Sequence, residues 1–259
     1  MRHVIIHYHI FKNAGSSIDS MLSHNHGPRW AQLEGKRPWS TLLPEAVGAF
    51  IAANPEVLSL SSHHARLPVP CVPGVTFHPI VILRHPIDRA YSVYSFERGQ
   101  PEQGAGPGVL AAKRYDFADY VRWRLEPGNG CVISDFQTIF LAGSHVDMSV
   151  ARALSSDFHA ASARLMGLPF FGLVERFKES VHLLERSLSR TALLEHYNVG
   201  HINRNPDRAD SLELRIEQIR KSLGGELFET LVARNQHDLR LFALASELFD
   251  RRLVSIIPQ

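Results

Sequence analysis

The segment His7-Tyr8-His9-Ile10-Phe11-Lys12-Asn13-Ala14-Gly15-Ser16-Ser17 joins an apolar run to a turn carrying a lysine and a glycine, and then to a serine-started helix. Such a turn suits a phosphate-like anion. The first backbone N–H groups of a helix have no partner within it, and the helix dipole adds partial positive charge there. Lys12 and the hydroxyls of Ser16 and Ser17 can complete the cradle around Asn13, Ala14 and Gly15. A Walker A loop reads G-x-x-x-x-G-K-(S/T), whereas here Lys12 precedes the loop's one glycine, Gly15. The expected ligand is an anion other than an ordinary nucleoside triphosphate.

A second strand-to-helix turn lies in Ile80-Val81-Ile82-Leu83-Arg84-His85-Pro86-Ile87-Asp88-Arg89-Ala90-Tyr91-Ser92-Val93-Tyr94. Proline is favoured at the first helical position, so a helix is expected to begin near Pro86. Ile87, Tyr91 and Tyr94 share one helical face for packing. Arg84, at the carboxyl end of the strand, and Ser92, on the second helical turn, are left to meet a second phosphate. The plainer alternative is a structural Arg84 paired with Asp88.

Together the two segments resemble the cofactor signatures of sulfotransferases that use 3′-phosphoadenosine 5′-phosphosulfate (PAPS), in the carbohydrate, membrane-type, heparan sulfate 2-O-sulfotransferase-like branch. The first is similar to the 5′-phosphosulfate loop H-I-P-K-T-A-G-T-S. The second is similar to the 3′-phosphate signature L-R-(D/N)-P-x-x-R-x-x-S-x-Y, matched by Leu83, Arg84, Pro86, Arg89, Ser92 and Tyr94. Phe136–Gly143, Gly172–Phe177 and Asp238–Ala243 fit the same family in order. Phe11, Asn13 and His85 depart from its usual Pro, Thr and Asp or Asn. The resemblance implies a three-layer α/β/α, P-loop-NTPase-like fold and sulfuryl transfer from PAPS to a carbohydrate or glycoconjugate hydroxyl. It also implies a contribution from Arg204, in the polar stretch 201–208, to the 3′-phosphate side.

In that chemistry Lys12 stabilises charge on the bridging oxygen of the departing nucleotide. No metal is required, because a sulfuryl group carries less charge than a terminal phosphoryl group. The general base is expected in Ser61-Ser62-His63-His64, directly after a predicted strand. Alignment on the family's Gly-His pattern favours His63 over His64. His7 and His9 alternate onto one strand face and with His63 or His64 suggest a metal site, but no nearby carboxylate or cysteine completes a ligand set, so none is expected. A P-loop kinase-like phosphotransferase and a catalytically silent nucleotide-binding protein are the rival readings.

The elements that must position these groups read as strands over His3–Ile10, Val57–Ser61, Phe77–Arg84 and Phe170–Val174. Helical patterns cover Asp116–Leu125, Ser149–Met166, Phe177–Thr191, Ser211–Leu223 and Gly225–Asp250. Ser16 to Asp19 resembles a capping box, and Pro101–Gly108 reads as an exposed loop. The fold class expected is α/β with a central parallel sheet and a helical C-terminal half.

No Pro/Gly-rich linker divides the 259 residues, so a single domain is expected. A net charge of +2 implies no nucleic-acid partner. The two cysteines are too few for a disulfide framework, and no apolar run spans a bilayer. With no signal peptide, these features point to a bacterial cytoplasmic enzyme.

Overall fold

The computed structural model describes residues 1–145, 147–148, 152–189, 191, 193–194 and 211–254. Strand β1 (Arg2–Tyr8) has Val4, Ile5 and Ile6 wholly buried, as expected for a strand covered on both faces. Helix α1 (Gly15–His26) leads to a short strand β2 (Trp30–Gln32), helix α2 (Pro44–Ala53), β3 (Ser59–Ser62) and β4 (Val75–Leu83). Then come α3 (Pro86–Arg98), α4 (Pro107–Arg114), α5 (Phe117–Leu125), α6 (Phe136–Ala142) and α7 (Ser155–Gly167). Strand β5 (Gly172–Leu173) precedes α8 (Phe177–Leu188), α9 (Leu212–Leu223), α10 (Gly225–Ala233) and α11 (Gln236–Val254).

Among the described residues the strands form a five-stranded, wholly parallel sheet in the order β2-β3-β1-β4-β5. The fold is mixed α/β, with its second half mostly helical. After β1 the chain passes toward β2 and β3; after β4 it passes toward β5. The carboxyl ends of these two neighbours therefore send their continuations to opposite sides, which opens a crevice between them. Register pairs Tyr8 with Val81, so the turns after β1 and β4 lie side by side.

Ile18, Met21 and Leu22 of α1 pack in one core cluster with β1 and β4. Ile87 and Tyr94 of α3 join α4, α5 and α9 in a second, with Tyr91 partly buried against it. Among the described residues no helix is long and apolar enough to cross a membrane.

Four sequence expectations differ from what is observed. Ala14, not Ser16, caps α1, which places Asp19 beyond the capping position and turns its carboxylate to β1. Pro107, expected in a loop, begins α4, its missing N–H costing nothing at a first helical position. The expected helix Gly225–Asp250 breaks into α10 and α11 at Asn235, whose buried amide donates to Ile133 O (2.8 Å) and Leu231 O (2.9 Å) while accepting from Asp135 N. Of the expected helix Ser149–Met166, residues 149–151 lie outside the described residues, 152–154 are not helical, and the helix begins at Ser155 after Leu154 in extended conformation.

Candidate active site

The turn after β1 is held in an uncommon shape. Lys12 (φ 66°) and Ala14 (φ 58°) both occupy the left-handed region, which costs a non-glycine residue roughly 1–3 kcal/mol. Four tethers keep it there. Asn13 Nδ2 donates to Ile82 O (2.8 Å) and Gln137 Oε1 (2.7 Å); Arg84 Nη1 donates to Lys12 O (2.9 Å) and Arg89 Nη1 to Phe11 O (3.2 Å). Left-handed residues in a tight turn gather main-chain N–H groups into an anion-binding concavity. Beside it begins α1, with Gly15 and Ser16 at its open end. A Cβ at position 15 would lie 1.9 Å from Nε2 of His9, so any larger residue there must displace the His9 ring.

Gln137, at the start of α6, grips the second turn as well. Its Oε1 accepts from Arg84 N (3.0 Å) and its Nε2 donates to Arg84 O (2.8 Å), so one buried amide joins Asn13 to both polar groups of the Arg84 peptide. Left unpaired, each such buried group costs about 1–3 kcal/mol. The start of α6 is itself fixed by Asp238, which accepts from Thr138 N (2.7 Å) and Gln137 N (3.1 Å).

The side chain of Arg84 donates from Nε to Asp88 (2.8 Å), and the other oxygen of Asp88 accepts from Arg215 Nε (2.9 Å). The structural pairing considered from the sequence is therefore present, and Arg84 and Arg215 share the one carboxylate of Asp88. Glu175 accepts from His85 N (2.9 Å), and burial pushes its carboxyl above the usual range. Arg89 is wholly buried, its guanidinium over the Phe136 ring at 4.7 Å.

A cleft of about 1370 Å³ runs along both turns. Lys12, Ala14, Gly15, Ser16 and Ser17 line it from the first turn, and Arg84, Asp88 and Ser92 from the second. The Lys12 ammonium sits over the Phe96 ring, 4.2 Å from its centre. Asn13 does not line the cleft, since its amide is turned inward to β4 and α6. Arg204 lies outside the described residues.

The consecutive histidines after β3 part company. His63 lines the cleft, stacks on His9 with ring centres 3.8 Å apart, and sets Nδ1 2.9 Å from Glu34 Oε1. A carboxylate only accepts, so Nδ1 carries the proton, and among the described residues Nε2 has no hydrogen-bond partner. The His64 ring turns into the protein, where Nδ1 lies 2.7 Å from Gly35 N and 2.9 Å from Glu34 Oε2 and Nε2 lies 3.1 Å from Pro38 O. Both its nitrogens are occupied, and it does not line the cleft. Burial acts upward on the Glu34 carboxyl, but the hydrogen bonds from His63 and the His64 ring beside it outweigh this and hold Glu34 well below the usual range.

Behind His63, Asp19 lies between His7 of β1 and His9, which directly follows that strand. His7 Nδ1 is 2.8 Å from Oδ1 and His9 Nδ1 is 2.9 Å from Oδ2. Burial lowers His9 to about 4, against the pull of Asp19; the two imidazoles keep Asp19 ionised far below its ordinary range despite its own burial. The carboxylate whose absence argued against a metal site in the sequence is thus supplied from α1.

Glu34, Gln137 and Arg215 carried no sequence assignment. Gln137 stood within a family-like stretch, which was its only signal; Glu34 and Arg215 stand far in sequence from their partners His63 and Asp88.

No protein-family profile matches the chain. It is 31% identical over 257 residues to an uncharacterized protein of Archaeoglobus fulgidus, the match covering 96% of this chain and 98% of the relative. With that identity across almost the full length of both, the chain belongs to the same family as the uncharacterized archaeal protein.

Proposed function

We propose that this protein is a PAPS-dependent sulfotransferase with a three-layer, P-loop-like fold, acting on a hydroxyl of a carbohydrate or glycoconjugate. One observation carries the reading: two strand-to-helix turns with the residues of the two cofactor signatures line a single cleft at the sheet's switch point, tied together through Gln137 and by Arg84 on the Lys12 carbonyl. The first turn and the start of α1 take the 5′-phosphosulfate, and Ser92 with Arg84 and Arg215 takes the 3′-phosphate. The acceptor class follows from the sequence resemblance.

In the reaction the acceptor oxygen attacks sulfur in line, and the bond from sulfur to the bridging phosphate oxygen breaks. The proton of the acceptor goes to Nε2 of His63, whose opposite nitrogen is held by Glu34. The charge that develops on the bridging oxygen meets the Lys12 ammonium and the N–H groups of the turn. The nucleotide leaves as 3′-phosphoadenosine 5′-phosphate, and the sulfuryl group needs no magnesium for charge screening.

Calorimetric titration tests the reading. The 3′-phosphate adds charge-assisted hydrogen bonds, so 3′-phosphoadenosine 5′-phosphate should bind roughly 10–100-fold tighter than AMP. Equal affinity for the two nucleotides, or magnesium-dependent ATP turnover, refutes it.

A further inference from the structure

We infer that His7, His9 and Asp19 form a binding site for one divalent transition-metal ion of the zinc class, with a coordination position left open toward the cleft. The inference stands apart from sulfuryl transfer, because it rests on the donor set alone.

His7, near the end of β1, and His9, directly after it, stack their rings with centres 4.9 Å apart. Asp19 reaches them from the second turn of α1. Their candidate donor atoms all lie within 4.8 Å of one another, the only such group of three among the described residues. Two imidazoles and one carboxylate make a nitrogen-rich set, which suits zinc, cobalt or iron and not magnesium or calcium.

The donors are also held in place. His7 is 1% exposed, and its ring is stacked on that of His9. The His9 ring fills the space where any side chain at position 15 would stand. With zinc at ~2.0–2.1 Å from each donor, tetrahedral neighbours stand ~3.3 Å apart; the imidazole–carboxylate separations of 2.8 and 2.9 Å, one to each oxygen of Asp19, fall about half an ångström short of that, and all three donors lie within 4.8 Å of one another. Three protein ligands are the number found in zinc sites that keep a position for water or substrate. His9 and Asp19 line the cleft and His7 does not, which turns the open position to the cleft side. An ion there polarises a hydroxyl or an anionic oxygen brought to it.

The test uses the full chain, stripped with chelator and titrated with zinc chloride by calorimetry, then with cobalt(II) followed by visible absorption. The expected result is one equivalent bound, with the d–d bands of low-coordinate cobalt. His7→Ala and Asp19→Asn should each weaken zinc binding at least ~100-fold, the upper end of what losing an outer partner costs, while Glu34→Gln leaves it unchanged. Should a variant fail to fold, the cobalt spectrum of the unaltered chain decides by itself. No stoichiometric binding, octahedral cobalt spectra, or binding lost with Glu34→Gln and kept with Asp19→Asn overturns the site. Since the ion alone is the probe, any of these results leaves the nucleotide titration to judge the sulfotransferase reading separately.

Discussion

Glu34 stands 2.9 Å from a ring nitrogen of each of two consecutive histidines, and their remaining partners decide which of them keeps a proton-accepting nitrogen for the cleft. For His64 the Gly35 N–H and the Glu34 carboxylate both meet Nδ1 and the Pro38 carbonyl meets Nε2, so neither ring nitrogen is left for the cleft. For His63 the carboxylate fixes the proton on Nδ1 and leaves Nε2 over the cleft. His63→Ala should therefore lower sulfuryl-transfer kcat by about 10²–10⁴ with nucleotide affinity kept, the range for removal of a positioned base. His64→Ala should lower thermal stability and leave kcat within a few-fold. Steady-state kinetics beside calorimetric titration checks both; the reverse pattern would make His64 the base. The Ser-Ser-His-His run was legible as a strand end carrying two histidines. Glu34 was not, because it reaches His63 only through β2, a three-residue strand whose pairing with β3 leaves no periodic mark in the sequence.

At the scale of elements, the junction of α6 and α11 governs how firmly the two turns are held. Asp135 precedes α6 at φ 45° and accepts from Asp238 N (2.8 Å), while the Asp238 carboxylate caps α6. Burial, with the charge of Asp238 added, raises the Asp135 carboxyl to about 7. A folded-state value above the unfolded one means that the folded chain holds more protons in between. Stability from this group is present in full at acid pH and is lost as pH climbs through neutrality. Asp135→Asn keeps the accepting oxygen and tolerates the left-handed backbone, but removes the charge. It should raise stability at pH 8 by on the order of 2 kcal/mol and show no gain at pH 4. Urea unfolding at the two pH values measures this; a gain equal at both would mean that Asp135 is not protonated in the folded chain near neutrality. The β1, β3 and β4 strands and the helices beginning at Pro86 and Phe117 were readable because local pattern decides them. The break at Asn235 was not, since its cause is a set of bonds to Ile133 and Asp135, about a hundred residues away.

For the molecule as a whole, a parallel sheet with β1 at its centre sends the chain left after β1 and right after β4, and this alone brings residues 11–17 and 84–92 to one edge. Each turn was legible by itself in the sequence; their meeting is a property of strand order, which no local pattern contains. It follows that a ligand touching both turns should couple them. Bound at 100 times its Kd, 3′-phosphoadenosine 5′-phosphate should raise the free energy of unfolding by about 2.7 kcal/mol. Amide exchange should slow in the Phe11–Ser17 turn and in the start of α3 over the same range of nucleotide concentration, because one bound molecule spans both. AMP, which lacks the 3′-phosphate, should slow the first segment and leave the second nearly as it was. Exchange followed by mass spectrometry across a nucleotide titration resolves the two segments. Protection that rises at different concentrations in the two turns, or equally in both with AMP, would mean that they do not serve one doubly anionic nucleotide.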